Sequence, residues 1–172
     1  MKVVLIGYMG SGKSTIGQLL SQSLDLQFLD LDQIIEQKAG MSIPDIFKKK
    51  GEIFFRKVEA KALLETLNGY QNFVLALGGG TPCYGTNMSQ IAKCATHSIY
   101  LKASIPSLVS RLSIEKDERP LISHLATDEE LTEFIGKHLF ERQYYYNQSS
   151  IIVSTDGKSQ KEVMQMLLEK LT

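Results

Sequence analysis

The chain has 172 residues, enough for one domain with a substantial buried core. Its 43% hydrophobic and 22% charged residues are ordinary for a globular protein in water, and no apolar run nears membrane-spanning length. Lys and Arg number 19 and Asp and Glu number 19, so no nucleic-acid footprint is expected and any anionic ligand must be held by local charge.

The first apolar run, Val3-Val4-Leu5-Ile6, predicts a strand. Met1-Lys2 leads straight into it, so no signal peptide is expected there and the cytoplasm is the default location. Directly behind lies Gly7-Tyr8-Met9-Gly10-Ser11-Gly12-Lys13-Ser14-Thr15, which spells Gly, four residues, then Gly-Lys-Ser. This is the spacing of a phosphate-binding loop. Its glycines let the backbone curl with N–H groups inward, around a phosphate that would clash with a Cβ. On that reading Gly10, Ser11, Gly12, Lys13, Ser14 and Thr15 surround the phosphates of ATP. Lys13 brings a positive charge to the β- and γ-phosphates, and the Ser14 hydroxyl can ligate Mg²⁺. Ile16, Leu19, Leu20 and Leu24 recur at helical spacing, so a helix N-terminus should face the same phosphates.

A second strand is predicted over 27–31, and Asp32 follows it. Strand alternation would put Asp30 and Asp32 on one side. One could then help hold Mg²⁺ through water while the other accepts a proton or hydrogen bonds from a substrate hydroxyl. The pair could also be helix N-cap aspartates, and the letters alone do not separate the two. Two helical pieces are then predicted, one starting near Ser42 with Pro44 early in it, the other running from about Glu52 to Leu67 after Gly51. Arg56 belongs to the second.

The third strand, 73–77, ends in Gly78-Gly79-Gly80-Thr81-Pro82. Such a run suits a backbone that a ligand approaches closely, or else a loose turn. This strand lacks the acidic residue of a standard Walker B element, so Asp30 would have to serve instead. Strands four and five are predicted over 98–101 and 150–153, with a last helix showing Val163, Leu167 and Leu171 on one stripe. Between them, residues 113–127 are polar and lack clear periodicity, which fits a disordered stretch or a lid. Arg119, within it, could bring a guanidinium over a transferring phosphoryl group, and Arg111 on the preceding helix could stack on adenine.

Arg56 and Arg142, each on a helix with an apolar face, read singly as surface charges. If both point at the glycine run, two guanidinium forks suit a planar carboxylate. Cys83 and Cys94 have no metal or redox spacing and read as free thiols, and His97, His124 and His138 have no ligand spacing. Strand-like and helix-like segments alternate throughout, which predicts a single α/β domain over 1–172 with five parallel strands wrapped by helices.

Together these segments resemble shikimate kinase, a family of small-molecule kinases with the phosphate-loop fold. The resemblance runs in order through Gly7-to-Thr15, Phe28-Leu29-Asp30-Leu31-Asp32, Gly51-Glu52 with Phe55-Arg56 and Glu59, Gly78-Gly79-Gly80, Arg119-Pro120-Leu121, and Arg142 with tyrosines behind it. It implies a three-layer fold with substrate-binding helices at about 31–60 and a lid at about 113–127. It also implies transfer of the γ-phosphate of MgATP to the 3-hydroxyl of shikimate. Asp32 would hold shikimate hydroxyls, Arg56 and Arg142 its carboxylate, and Gly79 would contact the ring. Glu59 would orient Arg56, Arg119 would reach the ATP phosphates, and Arg111 would pack on adenine. The catalytic set would be Lys13, Asp32 and Arg119, in a monomer whose partners are shikimate and ATP, with no nucleic acid and no membrane. Tyr144-Tyr145 stands where the family usually carries Pro-Leu, so where that helix ends is left open, and nothing is carried over to residues 155–159. A gluconate or nucleoside monophosphate kinase is the nearest alternative, and a nucleotide-dependent switch module a more distant one.

Overall fold

A computed structural model describes residues 1–116 and 119–171. Five parallel strands form one sheet: β1 (Lys2–Ile6), β2 (Gln27–Asp30), β3 (Phe73–Ala76), β4 (His97–Lys102) and β5 (Ile151–Ser154), in the order β2-β3-β1-β4-β5. All five predicted strands are present, with no end more than one residue from the predicted one. Alternation along β1 splits the core. Val4 and Ile6 join a cluster on one face of the sheet, and Val3 and Leu5 join another on the opposite face.

Helix α1 (Lys13–Leu24) covers the second face together with α8 (Gln160–Leu171). The first face is covered by α2 (Leu31–Ala39), α4 (Glu52–Gly69), α5 (Asn87–Cys94), α6 (Ile105–Glu115) and α7 (Asp128–Tyr146). The short α3 (Ile43–Lys50) packs on α4. Connections leave β1 and β3 in opposite directions, so a crevice opens at the carboxyl ends of these two adjacent strands.

The end of the second strand and the number of helical pieces before the third are corrected here. The second strand does not continue to Leu31: β2 stops at Asp30, and a third helical piece, α2, begins at once. The cause is the Asp30 side chain, whose Oδ1 accepts from the backbone N–H groups of Asp32 (3.0 Å) and Gln33 (3.4 Å). That is an N-cap, so Asp32 sits in the first turn of a helix and not on a strand. At the other end, α7 runs unbroken through Tyr144-Tyr145 to Tyr146, because without a proline every residue there keeps its N–H donor.

The expected lid includes residues 117 and 118, which lie outside the described residues. Around them, α6 extends to Glu115, and a run of turns from Arg119 leads to Thr127, which opens α7 with a capping box to Glu130. Ile122 is fully buried in the core and tethers this run, while its neighbour Leu121 is exposed.

Candidate active site

The loop between β1 and α1 wraps where the crevice is deepest. Gly10 (φ 78°) and Gly12 (φ 94°) hold conformations that side chains rarely adopt, and a Cβ on Gly10 would stand 3.0 Å from Leu112. Lys13 folds back over the loop and donates to the carbonyls of Gly7 (2.8 Å) and Tyr8 (2.9 Å). Burial pushes its pKa down to about 8, against the pull of Asp32 and Asp30.

Two cavities meet in front of this loop. The larger, about 650 Å³, is lined by Gly10 to Thr15, Asp30, Arg111 and the loop around Lys158. The smaller, about 340 Å³, is lined by Phe47, Phe55, Arg56, Glu59, Gly80 and Arg142. Met9, Asp32, Gly78, Gly79 and Arg119 line both, so they form the shared wall. The structure thus brings Asp32, Arg56, Gly79 and Arg142 to one cavity beside Lys13, although they lie far apart in sequence.

Each wall residue has a physical reason for its position. Asp32 is carried by the first turn of α2, where a carboxylate also suits the helix dipole. Burial, then the like charges of Asp30 and Glu59, push its pKa up to about 6, with Lys13 opposing. Arg56 donates from Nη1 to Oε1 of Glu59 at 2.8 Å, and the other Glu59 oxygen accepts from the Thr81 hydroxyl at 2.7 Å. Glu59 is 1% exposed, so a buried carboxylate ties Arg56 to the end of the glycine run, as the resemblance implies. A Cβ on Gly79 would stand 3.3 Å from Arg142 Nη1, so the bare glycine admits this guanidinium. The hydroxyl of Tyr146, one turn after Arg142, donates to the Gly79 carbonyl at 2.5 Å and fixes that peptide.

Arg119 donates from Nε to Glu115 Oε2 at 2.8 Å, and its Nη2 bonds the same oxygen. Arg111 donates to the Gly10 carbonyl at 3.0 Å and lies against Thr155. It therefore braces the phosphate loop against the loop before α8 and lines the larger cavity. Thr155, Lys158 and Ser159 also line that cavity, although sequence reasoning assigned them nothing. Their placement depends on where β5 ends, which no local spacing encodes.

Of the three histidines, His138 is placed most tellingly. Its Nδ1 lies 2.9 Å from the Tyr8 hydroxyl, and burial, then the Arg142 charge, hold its pKa below the usual range. A neutral ring can accept from Tyr8, whose own pKa burial raises to about 12, so this contact links the phosphate loop to α7. Cys83 and Cys94 are free and half-buried.

Comparison with known proteins places the chain among its relatives. The family model for shikimate kinase matches residues 9–172. Shikimate kinase of Flavobacterium psychrophilum is 47% identical over 95% of this chain and 95% of its own length. That of Flavobacterium johnsoniae is 48% identical over 99% of this chain and 98% of its own. The crystal structure of shikimate kinase from Bacteroides thetaiotaomicron superposes with a TM-score of 0.90 at 32% identity, covering 98% of this chain and 97% of that one. Shikimate kinase from Acinetobacter baumannii in complex with shikimate superposes with a TM-score of 0.85 at 30% identity, covering 98% and 91%. Relatedness along nearly the whole length, a shared backbone and the phosphate loop converge on one assignment: the chain belongs to the shikimate kinase family.

Proposed function

We propose that the chain transfers the γ-phosphate of MgATP to the 3-hydroxyl of shikimate, with ATP in the larger cavity and shikimate in the smaller. The observation that carries this reading is the shared wall: Asp32 faces both cavities, Lys13 lies on one side of it and the Arg56–Arg142 pair on the other. Arg56 and Arg142 grip the carboxylate, which fixes the ring and presents one hydroxyl to Asp32. Phosphoryl transfer through a loose transition state asks mainly for alignment and charge stabilisation. Asp32 supplies alignment and an acceptor for the hydroxyl proton. Lys13 and the loop N–H groups hold the β- and γ-phosphates, and Arg119 turns from Glu115 to the transferring group.

The donor set suits Mg²⁺ held mostly by phosphate oxygens and water. Ser14 and Asp30 line the larger cavity, and no cluster of three His, Cys, Asp or Glu able to cage a metal occurs among the described residues. The Ser14 hydroxyl would ligate the ion directly and Asp30 through water. Bound there, Mg²⁺ would neutralise charge on the β- and γ-phosphate oxygens. No helix among the described residues is long and apolar enough to cross a membrane.

A coupled assay of ADP release tests the reaction. Release should depend on shikimate and be negligible with gluconate or with no acceptor; equal release with gluconate would overturn the substrate assignment. Arg142→Ala should raise the shikimate KM roughly 30-fold, the worth of a charged hydrogen bond of ~2 kcal/mol, with a smaller change in kcat. A wild-type KM in that variant would contradict the proposed pose.

The pH profile follows from the two shifted groups. Asp32 must be ionised, so kcat/KM should fall as pH drops through about 6. Lys13 must be charged, so kcat/KM for ATP should also fall as pH rises through about 8. Bound phosphates favour the ammonium form, so the alkaline limb of kcat should lie at higher pH than that of kcat/KM. Coincident alkaline limbs would argue against Lys13 on the phosphates.

A further inference from the structure

Resting on the reading above, we propose that Tyr84 is a positioning residue for shikimate: its ring holds the Arg56 guanidinium in the orientation that receives the carboxylate. The Arg56 Cζ lies 3.7 Å from the centre of the Tyr84 ring, a stacking distance, against 5.1 Å from Phe55. The ring is anchored in turn, because the Tyr84 hydroxyl donates to Glu52 Oε1 at 3.1 Å. That same carboxylate oxygen is 3.6 Å from Arg56 Nε, too long for a hydrogen bond, and Nε has no hydrogen-bond partner although it is buried. Gly80 closes the remaining space, since a Cβ there would stand 2.9 Å from Arg56 Nη2.

Arg56 is therefore held by Glu59 at one nitrogen and by the Tyr84 ring and the Gly80 backbone elsewhere, and it lines the smaller cavity. A long side chain loses much rotamer freedom when it binds a carboxylate. Stacking takes up that loss before shikimate arrives, and so acts on substrate affinity through Arg56. Tyr84 is 37% exposed and sits just after the 3-10 turn Thr81–Cys83, outside the sheet core, so it can be replaced without opening a cavity.

The test combines Tyr84→Leu, Tyr84→Phe and Arg56→Lys, with steady-state constants for each substrate and a melting temperature. Tyr84→Leu should raise the shikimate KM roughly three- to tenfold, the worth of one cation–π contact, and leave the ATP KM and melting temperature unchanged. Tyr84→Phe keeps the ring and should restore most of the loss. In an Arg56→Lys background, adding Tyr84→Leu should cost little more, because the residue acts through the guanidinium. An unchanged shikimate KM in Tyr84→Leu, or equal losses in the Leu and Phe variants, would overturn the role of the ring. A wild-type shikimate KM in Arg56→Lys would instead overturn the carboxylate clamp itself.

Discussion

Lys13→Ala is expected to lower kcat by about 10²–10³ or more, the loss seen when one preorganised charge-stabilising donor leaves a transition state. The ammonium donates to the carbonyls of Gly7 and Tyr8, so it holds the loop curled from within. Its other cationic neighbours are committed elsewhere: Arg111 to the Gly10 carbonyl and Arg119 to Glu115. Arg111 cannot take over without freeing the Gly10 carbonyl, and Arg119, once it turns from Glu115, is already spent on the transferring group. Lys13→Met keeps the aliphatic stem and loses the ammonium with both of its roles, so it controls for lost packing. Both variants should be equally inactive and should stay folded by circular dichroism. Burial holds the Lys13 pKa down to about 8, so the buried charge is a cost to the fold at neutral pH that offsets its two loop hydrogen bonds. Turnover within tenfold of wild type in Lys13→Met would remove the ammonium from the mechanism.

Asp32→Asn should have the second-largest effect, a fall in kcat of about 10²–10⁴, the range for a positioned acid–base group. It should also stabilise the protein. The folded-state pKa of Asp32, about 6, lies above its unfolded value, so stability linked to this group is fully present in acid and is lost as pH rises through about 6. At pH 7.5 the ionised carboxylate is a cost, and the neutral amide removes about 2 kcal/mol of it once the helix-dipole benefit is allowed for. For a domain of this size that corresponds to a rise in melting temperature of about 4–8 °C. The gain should vanish below pH 4, where the native carboxyl is protonated too. A variant both inactive and destabilised at pH 7.5 would mean that Asp32 is a structural residue and not a strained functional one.

How far the sequence revealed all this differs from element to element. The strands were readable because short apolar runs alternate with helical stripes, and the phosphate loop because its glycines and Lys13 sit at fixed spacing beside a strand and a helix. Asp30 was read as one of two options, and the capping option is the one that shapes the chain. The signal for α2 was present: an aspartate followed three residues later by Gln33 is a helix-start signature, masked because Phe28 to Leu31 also reads as strand. Strand and cap coincide on one residue there, and tertiary packing decides the boundary.

Other features had no local trace. Tyr84 reaches Arg56 across 28 positions, and Tyr146 reaches the Gly79 carbonyl across 67. Only the fold brings such pairs together. The same is true of the Tyr8–His138 contact, which joins the first loop to the last long helix. Polar composition over 113–127 suggested a uniform lid, yet Ile122 is fully buried there and Leu121 faces the smaller cavity. Ile114, Leu121, Ile122 and Leu125 all stand in that run, and no spacing marks which of them is the anchor.

The most direct measurement is the electron density of shikimate in a crystal of this protein grown with shikimate and ADP. The account predicts the carboxylate between Arg56 and Arg142, a ring hydroxyl on Asp32, and the adenine nucleotide on the far side of the Gly78–Gly79 wall. Shikimate seated with a hydroxyl edge toward the two arginines, or outside the smaller cavity altogether, would contradict it.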